Sequence, residues 1–157
     1  MREWLKDDEV LFGIVRMGFG SGKFRRIKWI HIRWKGPSVS AVARGKMQAK
    51  SGEMHDRLSP FSVTIEANSL EDCALESIIE RVQKTSIVDG GGGDSDQRDK
   101  YSMKDFLEAL EEEKKATAEF FGDVDDGTRP PEPAAHEAIQ AVRTEGGAKN
   151  WVLLELK

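Results

Sequence analysis

Cysteine is almost missing from this chain. Cys73 stands alone among 157 residues, which excludes a disulfide framework and a cysteine-rich zinc site. No apolar run approaches the roughly 20 residues that cross a bilayer as a helix. Met1-Arg2-Glu3-Trp4 does not open a signal peptide, so the expectation is a soluble intracellular protein. Acidic side chains are absent from Val10 to Lys50, while Arg16, Lys23, Arg25, Arg26, Lys28, Arg33, Lys35, Arg44, Lys46 and Lys50 all fall there. Residues 1–50 carry a balance of +8 and residues 51–157 one of −12, giving the net −4. Two readings of this asymmetry stay open. The basic stretch serves an acidic or polyanionic partner, or the protein's own acidic half neutralises it.

What is present suffices for one core: 38% of residues are apolar, with four tryptophans and seven phenylalanines. Val10–Val15 is a continuous apolar run, which suits a strand buried on both faces. A glycine-rich loop, Gly18 to Lys23, leads to a second strand from about Arg26 to Trp34, so the pair reads as a hairpin. Gly36-Pro37 ends it. Residues 38–60 are long enough for a helical crossover, and Phe61–Glu66 alternates with period two as a half-buried strand does. Ser69 and Asp72 have capping-box spacing, before Leu75, Ile78, Ile79 and Val82 at helical intervals. Four glycines from Gly90 to Gly93 mark Ile87–Lys100 as a linker. A helix follows over about 102–121, with Met103, Phe106, Leu107, Leu110, Phe120 and Phe121 apolar and Glu111–Glu113 solvated. After a second linker with Pro130, Pro131 and Pro133 comes a short helix with Ala135, Ala138, Ile139 and Val142 inward. Gly146-Gly147 close it, and Trp151–Leu156 is a final strand.

Chemistry-bearing motifs are weak. Gly18-Phe19-Gly20-Ser21-Gly22-Lys23 echoes a phosphate-binding loop, but Met17 stands where the first glycine belongs and Phe24 where the Ser/Thr belongs. It also leads into a strand, whereas such a loop must open a helix to hold an anion. His31, His55 and His136 lack ligand spacing, and no serine, cysteine or carboxylate sits in a catalytic setting. Asp7-Asp8-Glu9 reads as solvated helix. No enzyme, cofactor or metal is expected. Trp29 and Trp34 among Lys28, His31, Arg33 and Lys35 offer a stacking platform for nucleic acid, but Ile27, Ile30 and Ile32 make this strand more simply core.

Three stretches together resemble the actin-depolymerising factor homology family, in its coactosin and cofilin branch. The first runs from Asp7-Asp8-Glu9-Val10 through the basic hairpin to Lys28-Trp29-Ile30-His31-Ile32-Arg33-Trp34-Lys35-Gly36-Pro37-Ser38-Val39-Ser40. The second is Arg44-Gly45-Lys46-Met47, with Phe61–Val82 after it. The third, Ala134–Leu156, is similar to the family's opening helix and first strand, yet stands last. The resemblance therefore implies a circular permutation. Residues 1–84 plus 134–157 would form one domain, and 85–133 an acidic insert whose helix at about 102–121 could cover the exposed edge of strand 150–156.

The implied fold is of the α/β, or α+β sandwich, type: a mixed central sheet of about four strands in the order 150–156, 10–17, 26–34, 61–67, flanked by helices. The implied function is non-enzymatic actin binding, with the filament favoured over the monomer, in the cytoplasm and cytoskeleton. The resemblance assigns this to Lys23, Arg25, Arg26 and Lys28 on the hairpin and to Arg44, Lys46 and Met47 before the long helix. Ser51–Leu58 departs from cofilin's lysine-rich helix, which points away from tight monomer binding and severing. The alternative is a module of the same fold that no longer binds actin and recruits another protein, with strand 150–156 open to self-association or partner pairing. Membrane and nucleic-acid partners are not expected.

Overall fold

The computed structural model describes residues 2–89, 100–121, 135–144 and 151–155. Its centre is a four-stranded sheet built from β1 (Val10–Phe19), β2 (Arg26–Lys35), β3 (Val63–Ala67) and β4 (Trp151–Glu155), in the order β3-β2-β1-β4. This is the order and mixed character anticipated from the sequence. β1 pairs antiparallel with β2 along ten residues, from Val10 opposite Lys35 to Phe19 opposite Arg26. β2 and β3 run parallel, and β4 lies antiparallel to β1, with Trp151 opposite Val15 and Glu155 opposite Leu11.

The parallel β2–β3 step needs a crossover, which α1 (Ala41–Leu58) supplies. Ser40 caps it, its hydroxyl accepting from the Ala43 amide at 3.2 Å. α2 spans Leu75–Asp89, α3 Met103–Phe121 and α4 Ala135–Arg143. Ser69 and Asp72 do form the reciprocal capping pair, but on the turn that precedes α2. The Asn68 amide, followed by the Ser69 hydroxyl and amide, holds the Asp72 carboxyl below its ordinary range. A second such pair, Ser102 with Asp105, starts α3.

Helices cover both faces of the sheet, giving two apolar clusters. One joins Leu11, Met17, Phe19, Ile30, Ile32 and Trp34 to Ile65, Ile78, Ile79, Val82 and Tyr101. The other joins Val10, Phe12 and Ile14 to Val39, Met47, Leu58, Ile139 and Val142. β1 supplies both, because its alternate side chains point to opposite faces and both faces are roofed. The Trp34 indole is fully buried, and its N–H donates to the Lys6 carbonyl at 2.8 Å. Gly36 is required where the strand turns away, since a Cβ there would lie 2.1 Å from the Asp7 carbonyl oxygen.

Several local expectations are corrected. Asp7-Asp8, expected as solvated helix, forms a tight turn after a short 3-10 turn at residues 2–4. The Asp7 carbonyl is occupied, accepting from the Ser38 amide. α2 continues to Asp89, past the expected start of the linker. On α3, Leu107 faces solvent and Ala109 is buried instead. On α4, Ile139 and Val142 are buried whereas Ala135 is exposed. The glycine run 90–93, the proline-containing segment and Gly146-Gly147 lie outside the described residues, as do the side chains of Phe120 and Phe121.

Candidate basic interface

Ten paired residues at about 3.3 Å each make the β1–β2 ribbon about 30 Å long. The turn at one end carries Lys23, Phe24, Arg25 and Arg26, and its backbone depends on Gly20 and Gly22, both at positive φ (77° and 53°). The other end of β2 carries Lys35 and leads through Gly36 and Ser40 into the first turns of α1, where Arg44 and Lys46 are exposed. The candidate cations thus form two groups at opposite ends of the sheet rather than one patch.

The protein's own groups already hold many of them. Arg25 forms an ion pair with Glu113 of α3, and the Gly22 amide donates to Glu112 at 3.3 Å. Arg16 is buried, donates to the Thr144 carbonyl at 2.7 Å and lies 3.8 Å from Glu113. The Lys28 ammonium sits over the Tyr101 ring, 4.9 Å from its centre, an attraction worth about 0.5–1 kcal/mol where partly exposed. Arg33 pairs with Glu66 and Lys50 with Glu53, both at 2.7 Å. Lys50, and then Arg57, hold the Glu53 carboxyl below its ordinary range. Glu112 and Glu113, expected to be solvated, are instead the partners of the hairpin.

Lys23, Arg26, Lys35 and Lys46 make no ion pair among the described residues. Arg44 is exposed, with its Nε donating to the Val39 carbonyl at 3.1 Å. Met47 is a correction: it is buried on the inner side of α1 among Val39, Leu58 and Ile139 and presents no surface to a partner. Helical spacing explains the difference. Lys46 and Met47 are adjacent, hence about 100° apart around the axis, and Met47 falls on the narrow stripe that packs on the sheet while Lys46 faces out. Phe24 was missed by the sequence reading. It is 78% exposed between Lys23 and Arg25, and the signal was an aromatic residue inside a turn of cations.

The three histidines are scattered. His31 is buried against Phe12 and Phe61, His55 packs edge-on to Phe61, and His136 is exposed at the start of α4. Trp29 lies under the Arg143 guanidinium, 5.3 Å away, and Arg143 also donates to the Leu58 carbonyl at 2.6 Å. Neither Trp29 nor the buried Trp34 offers a bare ring for base stacking. Among the described residues no helix is long and apolar enough to cross a membrane, and no three His, Cys, Asp or Glu side chains gather as a metal site.

The family described as cofilin/tropomyosin-type actin-binding protein matches residues 1–83 of this chain. Coactosin from Entamoeba histolytica is 26% identical over 86 residues, which cover 54% of this chain and 58% of that protein. Its crystal structure is similar at TM-score 0.47 and 24% identity, covering 52% of this chain and 59% of that one. Streptomyces griseoflavus cofilin is similar at TM-score 0.45 and 15% identity, covering 50% and 60%. Human coactosin-like protein D123N gives 0.47 and 20%, covering 61% and 66%. The chain therefore spans about three fifths of the length of the relatives it matches.

Proposed function

Because the chain belongs to the cofilin/tropomyosin-type actin-binding family, whose members are non-enzymatic, we propose that it is an actin-binding module acting on the filament side. The observation that carries this reading is the separation of its basic groups. Lys23, Arg25, Arg26 and Lys28 stand at one end of a ribbon about 30 Å long, and Arg44 and Lys46 at the other. Two separate contact points suit a polymer, which offers repeated acidic surface, better than a single subunit. Met47 holds α1 in place, so that Arg44 and Lys46 face outward. Exposed pairs contribute about 0–1 kcal/mol each, and charges in water are screened beyond about 8 Å at physiological salt. Binding is therefore weak and salt-sensitive, and the charges chiefly steer the approach.

Cosedimentation with actin filaments tests this. The pelleted fraction should fall between about 0.05 M and about 0.15 M salt, and reversing Lys23 and Lys46 together to Glu should weaken binding at least fivefold. Retention in the supernatant at both salts would remove the actin reading. A cytoplasmic, cytoskeletal location belongs to the same proposal.

The proposal extends to organisation: residues 1–84 and 134–157 form one permuted unit, with 85–133 inserted between them. The antiparallel placement of β4 beside β1 supports it. The second reading, a module that binds another protein instead of actin, draws on the engagement of Arg25 and Lys28 by α3 and Tyr101. In that case β4, with β1 on one side and no strand on the other among the described residues, is available to a partner strand or a second copy. Affinity capture that returns one such partner and no actin would favour it.

A further inference from the structure

We propose that α3 is an internal acidic ligand of the basic hairpin and that it limits how strongly the hairpin binds actin; the proposal rests on the actin reading above. Four contacts place α3 on the hairpin. The Gly20 amide donates to the Asp105 carbonyl at 2.9 Å, and Ala109 is packed so near Gly18 that a Cβ there would approach it to 3.2 Å. The Gly22 amide meets the Glu112 carboxylate, and Arg25 meets that of Glu113. The first two contacts fix the helix, and with Phe106 and Tyr101 around Phe19 they belong to the core. The last two lie at the rim, where two carboxylates sit on a backbone N–H and a guanidinium.

Those donors are the ones an acidic partner would use. A carboxylate of that partner reaching Arg25 must displace Glu113, and the exchange returns little energy because one charged hydrogen bond replaces another. The helix need not detach for this. The two glutamates only have to rotate away, while Ala109 and Tyr101 stay buried. Meanwhile Lys23 and Arg26, with no ion pair among the described residues, remain available on the same turn. The hairpin is divided into a free part and a held part, and Glu112 and Glu113 set the boundary.

Neutralising the competitor should strengthen binding. In filament cosedimentation at low salt, Glu112→Gln/Glu113→Gln is expected to bind about three- to tenfold more tightly than the parent chain, the factor associated with one part-buried charged pair. Arg25→Ala should then cost more in that background than in the parent. Glu71→Gln/Glu76→Gln makes the same change in net charge at exposed positions beyond the far end of β3 from the hairpin turn and should leave the affinity nearly unchanged. Equal tightening by this control, or none in the first variant while Lys23→Glu still weakens binding, overturns the proposal and leaves the actin reading standing. If no variant pellets, the actin reading itself fails and the proposal falls with it. Glu112→Gln alone is the milder check, because its contact is exposed: the Gly22 amide resonance should shift, and an unmoved resonance also overturns the proposal.

Discussion

His31 shows how one residue ties stability to pH. Its ring is sandwiched between Phe12, at 6.2 Å between ring centres, and Phe61, at 4.6 Å. Both ring nitrogens lack a hydrogen-bond partner among the described residues. Burial first, then the charges of Arg33 and His55, push its pKa from 6.5 down to about 4. The unfolded chain therefore takes up a proton near pH 6.5, while the folded protein resists until about pH 4. Stability is fully present above 6.5 and is lost as pH falls through that window, by at most about 1.4 kcal/mol per pH unit. Urea midpoints at pH 7 and pH 5 should differ in the parent chain and converge in His31→Leu. An unchanged slope in the variant would assign the acid sensitivity elsewhere. Lys46 and Met47 provide a second contrast at this scale. Met47→Ala should destabilise the fold by about 2–3 kcal/mol, as removal of a buried side chain does, with little effect on filament affinity. Lys46→Glu should do the reverse, and thermal unfolding beside cosedimentation separates the two.

Among the elements, β4 depends most on a single neighbour. Among the described residues it pairs with β1 alone, and Gly13 admits it. A Cβ at position 13 would stand 2.6 Å from the Leu153 side chain and 2.7 Å from the Val152 carbonyl oxygen. Gly13→Val should therefore displace β4 while β1–β2 pairing persists through its ten-residue register. Hydrogen exchange should quicken at residues 151–155 and remain slow at Ile30–Ile32. Slow exchange at 151–155 in the variant would contradict the close approach. The helix expected to shield β4 makes its main contacts with β1 and, through the Asp105 carbonyl, with Gly20 of the hairpin loop, and among the described residues no strand lies on the open side of β4. α1 depends on a different economy. It buries only Met47 and Leu58 fully, which leaves most of an 18-residue helix to solvent and to any partner.

For the whole molecule, the question left open by charge asymmetry receives a divided answer. Acidic residues from beyond position 50 do neutralise part of the basic stretch: Glu53 holds Lys50, Glu66 holds Arg33 and Glu113 holds Arg25. Lys23, Arg26, Lys35 and Lys46 make no ion pair among the described residues and stand toward the two ends of the sheet, so internal neutralisation accounts for only part of the asymmetry. Salt acts on each set. Raising it weakens the internal pairs along with any external ones, but the part-buried Arg25–Glu113 pair is screened less than exposed Lys23 or Lys46. The loss of filament binding with salt should therefore follow the free lysines: Lys23→Ala/Lys46→Ala should flatten the salt dependence more than Arg25→Ala does. Equal slopes in the two variants would show that the internal pair does not protect Arg25.

The amino-acid sequence alone determined the strands and the crossover, while the order of the strands in the sheet was what the family resemblance implied. The sequence signals are local: an apolar run for a doubly covered strand, alternation for β3, a glycine turn for the hairpin, and a segment over 38–60 long enough for a helical crossover. The identity of the free cations was decided only by the tertiary structure. Glu113 lies 88 residues from Arg25 along the chain and Glu112 lies 90 from Gly22, and an ion pair depends on distance in space, to which no spacing in sequence corresponds. The same holds for Met47, whose apolar character was legible but whose inward orientation came from the way α1 lies across β1.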